Sequence, residues 1–141
     1  MTERRELLYL SALAAQASPA CVGGVVRHAR SRNAGRGIRS VLVFDGWRFC
    51  QYLSGGAAAL DALAQRVRTD ARHADFTLLH AGPGEGAPLV GLPLVFALCY
   101  DAGLDAVAEA RGNDAMHAFR RLLPRLDAST GAPLLKRVSG F

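Results

Sequence analysis

Residues 38–56 read IRSVLVFDGWRFCQYLSGG, and this stretch decides the fold. Ile38–Phe44 and Trp47–Leu53 are apolar runs rich in β-branched and aromatic residues. Asp45-Gly46 joins them, and Asp-Gly is the pair that tight hairpin turns favour, so two antiparallel strands are predicted. In the second strand, alternation places Trp47, Phe49, Gln51 and Leu53 on one face, with Arg48, Cys50 and Tyr52 on the other. Gln51 therefore falls among large apolar neighbours. A buried amide has two donors and two acceptor lone pairs, and leaving it unpaired costs about 1–3 kcal/mol.

Working outward, Leu7–Ser11 predicts a first strand, with Leu7, Tyr9 and Ser11 on one face and Leu8 and Leu10 on the other. Ser18-Pro19 has the N-cap and first-turn chemistry of a helix start. Val22, Val25, Val26 and Ala29 then follow the spacing of one buried helical stripe. Gly23 and Gly24 lie inside this helix at about 1 kcal/mol each relative to Ala. Either the helix is poorly optimised or something approaches its backbone closely. The polar cluster Arg30–Gly37 is expected to end the helix as a loop, with Asn33 in it.

On the other side of the hairpin, Leu60, Leu63, Ala64 and Val67 mark a helix over residues 57–70. Phe76–His80 predicts a fourth strand, residues 81–87 a turn-rich loop, and Leu92–Tyr100 a fifth strand. Pro93 suggests that the fifth strand lies at an edge. Residues 101–126 read as helical, broken at Gly112-Asn113 and stopped by Pro124. Ala115, Met116, Phe119, Leu122 and Leu123 form their stripe, with His117 and Ala118 off it. The order β-α-β-β-α-β is an α+β, ferredoxin-like plan with two helices on one face of the sheet. Strands such as Leu7–Leu10 and Val41–Phe44 are oily on both sides, so the C-terminal helices are expected to cover the other face. Residues 1–100 read as the core, 101–126 as a helical cap and 127–141 as a loose tail.

Composition narrows the classes. The chain has 141 residues, 50% of them hydrophobic and 21% charged, with a formal charge of +5. That is enough for one domain and too apolar for a disordered chain. The longest apolar run, Leu94–Tyr100, falls far short of the roughly 20 residues that span a bilayer. Leu7–Leu10 is too short for a signal-peptide core, so a cytoplasmic protein is expected, with no membrane partner. Cys21, Cys50 and Cys99 stand singly and read as small hydrophobes. The 17 basic residues are spread along the chain without an aromatic-interleaved stripe, which argues against nucleic acid. His28, His73, His80 and His117 lack metal-ligand spacing. Gly82-x-Gly84-x-Gly86 lacks the setting of a phosphate loop.

Tyr9, Asn33, Gln51 and the Asp70-Ala-Arg72-His73 turn can converge at one end of the sheet, in the groove between the two helices. With LLYLS (7–11), SRNAGRGI (31–38), VLVFDGWRFCQYLSGG (41–56) and RVRTDARH (66–73), the chain resembles the BLUF family, blue-light sensors that use FAD. The resemblance runs from about Leu7 to Leu98. It implies a flavin ring held between the helices, with Tyr9 bonded to Gln51, and with Gln51 and Asn33 at the flavin's polar edge. Light would make the flavin an oxidant that draws on Tyr9, and the Gln51 side chain would resettle by rotation or tautomerism. Tyr9 and Gln51 are thus the expected photocycle residues, and Asn33, Gln51, Arg32, Arg66, Asp70, Arg72 and His73 the expected FAD-binding ones. Arg32 stands where the family often has His or Asn, and a planar guanidinium can stack on a ring. Arg66 and Arg72 would donate to the flavin carbonyl or to phosphate, with Asp70 holding one of them.

Some positions depart from the family pattern. Its Thr-Gly is Arg39-Ser40 here, which has the bulk to crowd the pocket, and its Glu after Gln-x-Leu is Ser54. Its Trp and Met on the last strand, usually implicated in output, align with Leu92 and Leu94. The expectation is a short photoreceptor without enzymatic activity. It would signal through the terminal helices to a neighbouring subunit, as a homo-oligomer, or to a downstream protein. The alternative is a degenerate, flavin-free interaction module on the same fold. An acylphosphatase-like enzyme is disfavoured because Ala12–Ala17 offers no phosphate cradle, and Ser11 shows no His or Asp partner for nucleophilic catalysis.

Overall fold

The computed structural model describes residues 4–84 and 90–126. At its centre is the expected hairpin, β2 (Arg39–Phe44) and β3 (Arg48–Gly56), paired antiparallel with Phe44 opposite Phe49. Gly46 takes φ +98°, a conformation that costs glycine little. The Asp45 carboxylate accepts from the backbone N–H of Trp47 and of Arg48, at 3.0 and 2.5 Å. Those bonds hold Trp47 in the turn, so it is 61% exposed and does not share the Phe49 face as expected.

β1 (Arg4–Leu13) lies against β3, and β4 (His73–Pro83) against β1, both antiparallel. β5 (Val95–Leu98) adds parallel to β2, giving the order β4-β1-β3-β2-β5 with β5 at an edge. β5 is shorter than its apolar run, and β4 is longer than expected. The extra residues of β4 pair with β1 across two register shifts, and Asp75, at φ +52°, sits in one of them. Of the loop expected over 81–87, Ala81–Pro83 belong to β4, and residues 85–87 lie outside the described residues.

α1 (Val22–Ala34) follows a short 3₁₀ turn, where the Ser18 hydroxyl accepts from Ala20 N–H. It runs on through Arg30–Ala34, where a loop was expected. Asn33 lies four residues beyond Ala29 and extends the buried stripe, which carries the helix to Gly35–Gly37. A Cβ on Gly23 or Gly24 would meet only the Arg27 side chain among the described residues. No close approach to the backbone explains this pair, which leaves the first turn poorly optimised. α2 (Ala57–Thr69) buries Leu60, Leu63 and Val67 as expected.

The two faces of the sheet are covered differently. On one, Leu8, Val41, Val43, Cys50 and Tyr52 meet the C-terminal helices in a continuous core with Leu104, Val107, Met116, Phe119 and Leu122. These helices are α3 (Asp105–Ala108) and α4 (Asn113–Leu122), separated at Gly112 with φ +62°, where the break was expected. Ala118 is buried as well, in the same core as Leu123 and Leu126. The expected loose tail begins at residue 127, outside the described residues.

On the other face the apolar packing is split. α1 packs on Leu42, Phe44 and Phe49, whereas α2 packs on Leu7, Tyr9, Ile38 and Leu53. Between the two clusters, among the described residues, lies a gap bordered by Val25, Ala29, Leu42 and Val67, and this gap positions the site.

Candidate functional site

Tyr9 on β1 and Gln51 on β3 are directly opposite in register, and Gln51 is in turn opposite Leu42 on β2. Residues in one cross-strand row share a face. All three side chains therefore point into the gap between α1 and α2, at 1%, 2% and 2% exposure. The Tyr9 hydroxyl donates to Gln51 Oε1. Among the described residues, Gln51 Nε2 is left buried with no hydrogen-bond partner, and so is Arg32 Nε.

These groups border a cavity of about 380 Å³, lined also by Val25, His28, Ala29, Arg66, Val67, Thr69, Asp70, Arg72 and His73. The volume lies within the roughly 300–1,000 Å³ of small-ligand pockets. Gln51 and Arg32 both line this space, and each carries a buried donor that costs about 1–3 kcal/mol until it is paired, as an acceptor-rich heterocycle would allow. The flavin of FAD, with ring carbonyls and nitrogens in one plane, fits that donor set.

Burial fixes the charge states. Desolvation raises the Tyr9 phenol far above its ordinary range, so it is neutral and keeps the proton it donates to Gln51 Oε1. Its ring stacks on Phe76 at 4.9 Å. Arg72 forks onto Asp70, Nε to Oδ1 at 3.0 Å and Nη2 to Oδ2 at 2.7 Å, and its backbone N–H adds a third bond. Those bonds hold the Asp70 carboxyl at about 2. Burial lowers the His73 pKa, leaving the ring neutral at pH 7 against Phe49 at 4.7 Å.

Seven of the eight expected residues converge here: Tyr9, Gln51, Arg32, Arg66, Asp70, Arg72 and His73. Asn33 does not line the cavity. It sits on the last turn of α1, fully buried, where Nδ2 donates to Ser40 Oγ at 3.1 Å and to the Pro93 carbonyl at 3.0 Å. Its Oδ1 has no partner among the described residues. Arg39 stays outside the cavity, with Nη1 near the Ile38 carbonyl at 3.4 Å, and Ser40 is spent on Pro93 at 2.7 Å. The Arg39-Ser40 departure therefore does not fill the pocket. Ser54 is buried with its hydroxyl unpaired, Leu94 joins the α1 core and Leu92 is 44% exposed.

Two features were not expected. His28 joins the lining because it stands four residues before Arg32 on α1, a relation the sequence contains. Ser11 does have a histidine partner: its Oγ lies 2.9 Å from His73 Nδ1. The β1–β4 pairing, which sets His73 opposite Leu13, brings them together. Ser11 is 1% exposed and Asp70 is committed to Arg72, so the trio is not arranged for nucleophilic attack.

Comparison with known proteins bears on the family and the fold. The family described as BLUF, sensors of blue-light using FAD, matches residues 5–86. Klebsiella pneumoniae BlrP1, in a manganese/cy-diGMP complex at pH 9.0, is 28% identical with a TM-score of 0.61. That match covers 66% of this chain and 24% of that one, so this chain spans about a quarter of the BlrP1 length. BlrB, a BLUF protein in its dark state, is 23% identical with a TM-score of 0.72 over 86% of this chain and 96% of that one. BlsA in its photo-activated state is 15% identical, with a TM-score of 0.75 and coverage of 84% and 94%. At those identities BlrB and BlsA speak to the fold alone. A search of curated proteins finds no match. From the matched span and the shared α+β fold, this chain belongs to the BLUF family, the sensors of blue light using FAD.

Proposed function

We propose that the cavity over Tyr9 and Gln51 seats the flavin of FAD, and that light is registered there as a change in the hydrogen bonds of Gln51. One observation carries this reading: a buried Tyr–Gln pair floors the cavity while Gln51 Nε2 has no partner among the described residues. Nε2 would donate to the flavin's polar edge, and Arg32 would lie along the ring with its free Nε. Asn33 joins the set if its amide turns away from Pro93. Arg66, Arg72 and His73 line the mouth, with Asp70 keeping Arg72 in place.

Under blue light the bound flavin supplies a strong oxidant. A phenol can then give up an electron and a proton together, and the buried Tyr9 hydroxyl already points at Gln51 Oε1 as acceptor. An amide answers by exchanging its donor and acceptor ends, through rotation or tautomerism. Gln51 shares β3 with Cys50 and Tyr52, which face the C-terminal core, and the Tyr52 ring lies 6.4 Å from Phe119 on α4. A shift of Gln51 would therefore be felt by residues 101–126, which we assign as the output element capping the 1–100 core. The receiver would be a second copy of the chain or another protein. The experiment is a spectrum of purified, FAD-loaded protein before and after blue light. A reversible red shift is expected. Colourless protein that ignores added FAD would overturn the reading in favour of a flavin-free interaction module.

A further inference from the structure

On the opposite face of the sheet, a separate cavity of about 220 Å³ lies between α4 and the strands β1 and β4. Glu6 shares the parity of Leu8, which belongs to the core under α4, so its side chain turns away from Tyr9. Glu6 and His80 form the inner wall, with side chains 9% and 13% exposed, and α4 supplies Met116 and the exposed His117 and Arg120. The Glu6 carboxylate is poorly compensated. Among the described residues its one ionic neighbour is His80, whose Nε2 stands 3.9 Å from Oε1, beyond hydrogen-bonding distance. Ser54 lies opposite Glu6 on β3, yet its buried hydroxyl has no partner among the described residues either.

The plain reading is a crevice in which water solvates the carboxylate. That leaves the polarity of the cavity unexplained: a buried anion stands on the inner wall, and Arg120, which pairs with no carboxylate among the described residues, stands at the rim. Buried charge is unfavourable until something of opposite sign meets it. A metal ion does not fit, because among the described residues Glu6, His80 and His117 are not gathered into a group that could hold one. A simple anion would meet Glu6, and a simple cation would meet Arg120. A molecule carrying both charges satisfies both ends. At roughly 30 Å³ per water the space equals about seven waters, enough for a ligand of about seven non-hydrogen atoms.

We propose that this cavity is a second ligand site, taking a small zwitterion of amino-acid size whose ammonium group meets Glu6 and whose carboxylate meets Arg120. His80 and His117 flank the ligand, and Met116 supports its carbon chain. Because Glu6 belongs to β1 and Arg120 to α4, an occupant bonded to both pins the C-terminal cap to the sheet, which gives the chain a chemical input besides light. The site lies across the sheet from the cavity over Gln51, so its assignment does not depend on the flavin reading.

The test titrates the chain, with FAD in excess, with straight-chain ω-amino acids from glycine to 5-aminopentanoate, followed by calorimetry and by the histidine ring signals in NMR. One chain length should bind with a dissociation constant on the order of 0.1–1 mM. It should shift the rings of His80 and His117 and leave those of His28 and His73, which line the other cavity. Butylammonium and butyrate, with one charge each, should bind at least about tenfold more weakly. Glu6→Gln keeps the shape of the wall and removes its charge, and should weaken binding by about tenfold. Arg120→Gln changes an exposed residue, should weaken it roughly three- to tenfold, and decides by itself should Glu6→Gln fail to fold. No shift at His80 and His117 with any amino acid would overturn the site and leave a hydrated crevice. Butyrate or butylammonium binding as tightly as the best amino acid would overturn the zwitterion, as would binding that Arg120→Gln leaves intact. Protein that takes no FAD yet shows the His80 and His117 shifts would remove the flavin reading and keep this one.

Discussion

Removing the Tyr9 hydroxyl, the Gln51 amide, or both gives the most demanding test of the site. Both side chains are essentially inaccessible, and each supplies the other's partner. In Tyr9→Phe the amide would have neither Oε1 nor Nε2 paired, at a cost of about 1–3 kcal/mol. In Gln51→Leu the phenol would be stranded at a similar cost, partly offset because the orphaned Nε2 disappears as well. Replacing both partners leaves apolar groups of similar shape, which is nearly neutral. The double variant should therefore be more stable than Tyr9→Phe, with a coupling of about 1–3 kcal/mol, read as roughly 3–5 °C per kcal/mol in a thermal melt at this chain length. Urea denaturation of flavin-free protein gives the same cycle without a temperature extrapolation. A double variant whose loss equals the sum of the single losses would refute the pairing. With FAD present, Tyr9→Phe should keep the flavin and lose the light-induced red shift, whereas Gln51→Leu should lose the shift and bind more weakly.

Three further outcomes follow from the packing and the charges. Asp70 is held at about 2, so its contribution is present above pH 4 and lost as pH falls towards 2. Acid unfolding of Asp70→Asn should lack that part of the profile, roughly 1 kcal/mol after solvent screening. His73 has a lowered pKa, so below about pH 6.5 the unfolded chain binds more protons and stability falls; His73→Gln should flatten that limb of the pH–stability curve. A Cβ on Gly103 would sit 2.7 Å from Cys99 Sγ and 2.8 Å from Leu122 Cδ1, so Gly103→Ala should cost about 1–3 kcal/mol in a urea melt.

The hairpin, both helical stripes and the α+β plan were legible because each rests on local chemistry that the tertiary structure reinforces. Asp45-Gly46 makes its turn, and the Val22–Ala29 stripe is buried as its spacing requires. The end of α1 was not legible, because Arg30–Gly37 looks like a loop until Asn33 is seen to continue the stripe. Trp47 misled for a related reason: a side-chain cap from Asp45, invisible to alternation, takes it out of the strand. At the site, period two alone puts Tyr9 and Gln51 on definite faces of their strands. Only the β1–β3 register shows that those faces are one and that the residues are opposite. The Ser11–His73 contact spans 62 positions and depends on the β1–β4 pairing, which no local signal encodes.

The gap between the two apolar clusters is itself an energetic statement about the protein. A fold free to optimise stability alone would fill the middle of the sheet with aliphatic side chains, as it does on the opposite face, where one core runs continuously from Leu8 to Leu122. Here it places an amide, a phenol and arginines around a cavity and, among the described residues, leaves Gln51 Nε2 and Arg32 Nε unpaired. At about 1–3 kcal/mol per orphaned group, these choices consume a sizeable part of the roughly 5–15 kcal/mol that a domain has in hand. A ligand that pairs those donors and fills the volume recovers that loss, and it stabilises only the folded state. FAD at a hundred times its dissociation constant would add about 2.7 kcal/mol. Folding and cofactor binding are on this argument one equilibrium. Gln51 is thus both a cost to the flavin-free chain and, on the function proposed above, the group whose bonds light would rearrange.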